Sequence, residues 1–100
     1  MVAYWIARAK INDPAEYKKY TDLVPGILKK YGAKVLARGG DFRILEGPET
    51  FERHVVIEFP SLEQALSCHR SAEYQEARKY RLGGVGHNEL VIVEGGDATK

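Results

Sequence analysis

The sequence predicts an α+β sandwich: one antiparallel four-stranded sheet in the chain order βαββαβ, with both helices on one face. Two helical stretches, each opened by a capping signal, separate four strand-like runs. Each helix links strands rather than other helices, the order that folds as one sheet beneath one helical layer. The first and last strand runs, "VAYWIA" and "LVIV", are apolar at odd and even positions alike. A sheet with one wet face alternates instead. Two helices cover one face, so the other needs cover from outside the chain. A second copy is expected there.

The elements follow in order. Residues 2–9 hold Val2, Tyr4, Trp5 and Ile6 and end at the polar "KIND", a first strand. Asp13 is a good N-cap, Pro14 suits the first helical position, and Glu16 stands three beyond the cap. Tyr17, Tyr20, Val24, Ile27 or Leu28, and Tyr31 continue at helical spacing until Gly32. Pro25 inside this pattern predicts a kink or restart near Leu23. "AKVLARGGDFRILEG" gives two strand-like pieces around Gly39-Gly40, a pair that marks a bulge or sharp bend. Gly47-Pro48 turns the chain, and "HVVIEF" (54–59) is the third strand. Ser61 with Gln64 opens the second helix, and Ser71 caps a further helical segment. "GGVGHN" is a loop and "ELVIVEG" the last strand. This is a ferredoxin-like arrangement, one domain over residues 1–96 with a C-terminal tail, 97–100.

Bulk properties exclude several classes. The net charge of +1 gives no electrostatic case for nucleic acid or an acidic membrane surface. One cysteine permits no intramolecular disulfide and suits a reducing cytoplasm. The apolar N-terminal run is too short to span a membrane and lacks the basic flank of a signal peptide. RNA-binding domains share the βαββαβ order, but alignment of "ERHVVIEF" to their aromatic strand motif leaves His54 and Val56 at the stacking positions. Neither a nucleic-acid nor a membrane partner is expected.

The candidate site residues come from two stretches. In "RSAEYQEARKYR" (70–81), Tyr74, Arg78 and Arg81 share one helical stripe. Cations in a last helical turn complement its dipole, which suffices for a solvated Arg78. Arg81, in line with Tyr74 and Ala77, points toward the sheet, where its planar fork suits a carboxylate. In the third strand Val55, Ile57 and Phe59 take the parity that packs under helices. His54 and Glu58 take the other, with Tyr4 and Arg8 of the first strand expected beside them. His54 is the candidate general base, since its unperturbed pKa of about 6.5 suits proton abstraction near neutrality. Cys68 and His69 are adjacent on a helix and do not face each other, so they make a poor nucleophile–base pair. His54, His69 and His87 are scattered, and no C-x-x-C or H-x-x-x-H motif exists. No metal and no cofactor is expected, with His69 the first position to examine for haem. "GGVGH" follows a helix and enters a strand, the wrong order for a phosphate loop.

"LARGG" (36–40), "VIEFPS" (56–61), "SAEYQ" (71–75) followed by Arg81, and "VIVEG" (91–95) occur in that order. Together they resemble the domain of unknown function 1330 family over nearly the whole chain. The resemblance implies membership of the dimeric α+β barrel superfamily, in which two ferredoxin-like sheets meet face to face. Relatives there include antibiotic-biosynthesis monooxygenases, muconolactone isomerases and haem-binding chlorite dismutases. One departure is Cys68-His69, where the family usually has an aromatic pair. The expectation is a homodimer that holds a small organic molecule, anionic or aromatic, in a cleft between sheet and helices. Arg81, Tyr74, Tyr4, Arg8 and Glu58 would bind it, and His54 would serve any cofactor-independent proton transfer or oxygenation. A ligand carrier without chemistry, and a packed dimer without a ligand, are the alternatives.

Overall fold

The computed structural model describes residues 1–97; the remaining tail positions, 98–100, lie outside the described residues. Strand β1 (Ala3–Ile11) runs to Asp13, whose carboxylate accepts a hydrogen bond from the Glu16 backbone N–H at 3.2 Å. That cap starts helix α1 (Pro14–Lys30). Contrary to the expected restart, α1 continues as one helix through Pro25. Proline removes a single N–H, and buried side chains anchor the helix on both sides of it, Tyr17 before and Ile27 and Leu28 after.

Strand β2 (Lys34–Arg38) is followed by β3 (Arg53–Phe59). Of the two strand-like pieces around the glycine pair, only the first is a strand. The register with β3 shifts between Val35 and Ala37, so the bulge precedes the glycines. The chain then turns away at Gly39, whose φ of 70° favours glycine. Residues 39–52 form a loop because their aromatics pack on the sheet instead of pairing along it. Phe42 lies 4.7 Å from the His54 ring, and Phe51 stacks on His87 at 5.6 Å.

Ser61 caps helix α2 (Leu62–Arg70) by accepting from the Gln64 N–H at 3.1 Å. Ser71 caps α3 (Ala72–Arg78) by accepting from the Tyr74 N–H at 3.1 Å. A 3-10 turn, Lys79–Arg81, ends the helical layer. Strand β4 (Gly86–Glu94) begins earlier than the apolar run suggested, because Gly86 to Asn88 pair with the far end of β1. The sheet order is β2-β3-β1-β4 with every neighbour antiparallel, which is the ferredoxin-like topology.

Alternation sorts the sheet into two faces. Trp5, Ile57 and Phe59 lie beneath the helices with Ala65, Cys68, Tyr74 and Ala77. Trp5 is the hinge of this core: its ring stacks on Phe59 at 5.6 Å and meets Tyr74 edge-on at 5.2 Å. The opposite face carries Tyr4, Ile6 and Arg8 of β1, paired across β4 with Val93, Val91 and Glu89. Ile6, Val91 and Val93 are 41, 57 and 47% exposed there.

Candidate functional site

Beneath α1 the helix and sheet do not fully close, leaving a cleft of about 320 Å³. That volume lies at the lower end of the range for small-molecule sites. Its floor is Trp5, Ala7 and Ala9 of β1 with Val55 and Ile57 of β3. Tyr17, Tyr20, Val24 and Leu28 of α1 stand on the other wall, and Arg38 and Arg53 also line the cleft. Arg53 shares the parity of Val55 and Ile57, so strand alternation delivers its guanidinium to the helix side. Gly39 leaves room for it: a Cβ there would stand 3.2 Å from Arg53 Nη1.

Both cleft tyrosines have fixed hydroxyls. Asn88 Nδ2 donates to the Tyr17 hydroxyl at 2.8 Å, while its Oδ1 is buried without a partner. Tyr17 sits so close to β4 that a Cβ at Gly86 would come within 2.7 Å of its ring, a clash that only glycine avoids. The Tyr20 hydroxyl bonds that of Tyr74 at 2.8 Å, and Arg81 Nη2 donates to the same Tyr74 oxygen at 3.3 Å. The Arg81 guanidinium also lies 5.1 Å from the Tyr20 ring centroid. Burial, then the neighbouring Tyr74 hydroxyl, push the Tyr20 pKa well above the ordinary phenol value. Tyr20 therefore presents a neutral hydroxyl at any physiological pH.

The charge balance of the cleft is positive. Among the described residues the ion pairs engage Arg8, Lys18, Lys19, Lys30 and Lys79, and neither Arg38 nor Arg53 takes part in one. No lining residue is an Asp, Glu, His or Cys. Such a cavity can hold a flat, apolar body against aromatic rings and an anionic group against guanidinium.

Of the residues singled out from sequence, Arg81 and Tyr74 come together, with Arg81 only 6% exposed. They stand behind Tyr20 and brace it. Arg78 is half-buried beside a different groove, not solvated as expected. Tyr4, Arg8, His54 and Glu58 form another group: Tyr4 is opposite Glu58 and Arg8 opposite His54 in the β1–β3 register. They share the face turned away from the helices. The expectation that His54 would serve the sheet–helix cleft together with Arg81 is corrected by this alternation. His54 lies under Phe42, and its Nε2 is buried without a partner. Arg8 borders the cleft, but its guanidinium is committed to Glu89 at 2.8 Å and lies over Phe51 at 4.3 Å.

Arg38, Arg53, Tyr17, Tyr20 and Asn88 were missed as site residues. The tyrosines fit the apolar stripe of α1 and read as core. Arg53 could have been found, because it is the charged residue on the covered parity of β3. Among the described residues no three His, Cys, Asp or Glu side chains gather as a metal-binding group, and no helix is long and apolar enough to cross a membrane.

This architecture has known counterparts. Residues 2–96 match the family model described as domain of unknown function (DUF1330), and the chain belongs to that family. A protein of unknown function from Rhodopseudomonas palustris superposes with a TM-score of 0.75 at 20% identity, covering 96% of this chain and 83% of that one. A dimeric protein of unknown function with a ferredoxin-like fold, from Bacteroides fragilis, gives 0.63 at 14% identity over 93% and 95%. A Caulobacter crescentus protein named as a candidate antibiotic biosynthesis monooxygenase gives 0.61 at 13% identity over 96% and 91%. No curated protein matches the sequence.

Proposed function

We propose that the protein is a homodimer that binds a small planar anion in the cleft between the sheet and α1. One observation carries the ligand assignment: Arg38 and Arg53, free of carboxylate partners among the described residues, line an aromatic cavity of about 320 Å³. An aromatic carboxylate meets both requirements, its ring against Trp5 and Tyr20 and its charge on the guanidinium pair. Arg81 and Tyr74 act here through Tyr20, whose hydroxyl they orient.

The lining supports binding rather than side-chain proton transfer. It contains no carboxylate, imidazole or thiol, and Tyr20 is too weak an acid to shuttle protons near neutrality. Oxygenation is the second reading, favoured by a neutral tyrosine hydroxyl within an aromatic cleft and by the name of the Caulobacter crescentus neighbour. Oxygen uptake in the presence of the bound ligand separates it from simple binding. The free, buried Cys68 accords with a cytoplasmic setting.

The homodimer rests on the exposed apolar strip of Ile6, Val91 and Val93, and a structural neighbour is dimeric. Face-to-face pairing would cover the strip and bring Tyr4, Arg8, His54 and Glu58 into the interface.

Native mass spectrometry of protein purified without added ligand, followed by benzoate titration, tests the ligand assignment. Arg53→Gln and Arg38→Gln should each weaken benzoate binding about tenfold, the loss expected for a charge-assisted hydrogen bond. Unchanged affinity in both variants would sink the proposal.

A further inference from the structure

A second cavity lies on the other side of the core. It is an open groove of about 500 Å³ between α2, the α3–turn junction and the free edge of β4. Leu62, Leu66 and His69 reach it from one stripe of α2, at i, i+4 and i+7, with Arg70 beside them. Arg78 and Arg81 enter from the end of the helical layer, and Leu90, Val91 and Ile92 from β4. The groove thus has an aliphatic side and a side with three arginines. Among the described residues Arg70, Arg78 and Arg81 belong to none of the ion pairs, and no carboxylate lines the groove.

Arg81 is the most informative member. Its side chain is buried at 6% exposure; Nη2 is used by Tyr74, and Nε is buried with no hydrogen-bond partner. A buried guanidinium N–H without an acceptor is costly, and a carboxylate oxygen would satisfy it. The half-buried Arg78 flanks it and Arg70 completes the cluster. Helix-dipole complementation accounts for Arg70 at the end of α2, but not for an unpartnered N–H inside the protein.

We propose that this groove is a binding site for a small aliphatic carboxylate, its head on Arg81 and Arg78 and its chain along Leu62, Leu66 and Leu90. The site is distinct from the cleft under α1 in its lining, and Arg38 and Arg53 belong to the cleft alone. Asn88 borders both.

His69 is a built-in reporter. It lines the groove, and its ring lies 5.1 Å from Tyr74 and 5.7 Å from Trp5. Burial lowers its pKa below the ordinary histidine value, and the guanidiniums of Arg78, Arg81 and Arg70 lower it further. An anion seated among those arginines reverses part of that repulsion. Hexanoate is the probe, with inorganic phosphate and benzoate as comparisons, and the histidine ring signals are followed by NMR across a pH titration. The His69 pKa should rise by about one unit at saturating hexanoate, with His54 and His87 unmoved. Arg78→Gln, at a half-buried position that folding should tolerate, should weaken hexanoate binding about tenfold. Arg53→Gln in the other cleft should leave it unchanged, so failure here is distinguishable from failure of the benzoate assignment. Three results would overturn the site: equal shifts at all three histidines, phosphate acting as well as hexanoate, or an unchanged affinity in Arg78→Gln. A loss of dimer in Arg78→Gln without any hexanoate response would do so as well, by making the cluster a subunit contact.

Discussion

Both faces of the sheet carry apolar side chains and use them differently. On the helix side, Trp5, Ile57 and Phe59 are almost fully buried, and Tyr74 holds one nitrogen of the buried Arg81. On the other side, Ile6, Val91 and Val93 form an exposed strip flanked by the Arg8–Glu89 pair and by His54 under Phe42. The covered face has its complement within the chain. The open face has its exposed apolar strip on β1 and the edge strand β4, with the charged residues of β1 and β3 beside it, and the proposed second copy would supply the missing cover.

The sharpest break in this comparison is a charge placed within the apolar strip of the open face. Ile6→Asp, combined with Val91→Asp on the neighbouring strand, should convert a dimer into a folded monomer at micromolar concentration. Two carboxylates per chain would be forced against their copies, at a cost of several kcal/mol. Sedimentation equilibrium reads the mass and circular dichroism the fold. An unmodified protein that is already monomeric at that concentration would end the interface reading.

The faces also differ in what sequence could disclose about them. Strand order, caps and face parity were legible because each depends on local spacing: Asp13, Ser61 and Ser71 cap where they stand, and β3 alternates as written. The grouping of Tyr4, Arg8, His54 and Glu58 was legible for the same reason. The cleft was not. It depends on how far α1 stands off the sheet and on Arg53 reaching it from an otherwise apolar parity, and both are set by tertiary packing. The loop at 39–52 was not legible either, since "DFRIL" has strand composition and only the tertiary fold lays Phe42 on His54.

A smaller effect tests the covered face through its titrating groups. Cys68 is buried, and burial pushes its thiol from 9.0 up to about 11, while Tyr20 is raised further. Both groups are neutral when protonated and have higher pKa values folded than unfolded. Their stabilising contribution is complete below pH 9, and the thiol's share is lost as pH rises toward 11. Urea midpoints should therefore fall between those values, and Cys68→Ala should flatten part of the fall. A pH-independent midpoint over that range would contradict the burial of both groups. Native Cys68 should also resist thiol reagents at pH 8, since almost no thiolate is present.

The smallest expected effect separates the faces most finely. In the Arg8–Glu89 pair, Nε and Nη2 both donate to Glu89 Oε1, at 2.9 and 2.8 Å, and both side chains are about half exposed in the single chain. Left in water, such a pair contributes about 0.2–1 kcal/mol and weakens as salt screens it. Covered by a second copy, the same pair loses solvent, and removing one partner leaves a desolvated charge that costs more. A double-mutant cycle of Arg8→Gln and Glu89→Gln distinguishes the two environments when run at two protein concentrations spanning the dimer's dissociation. The coupling energy should be small and salt-sensitive in the dilute monomer. In the dimer it should be larger and nearly salt-independent. Equal coupling in both regimes would place Arg8 and Glu89 outside the interface and confine the contact to the strip around Ile6, Val91 and Val93.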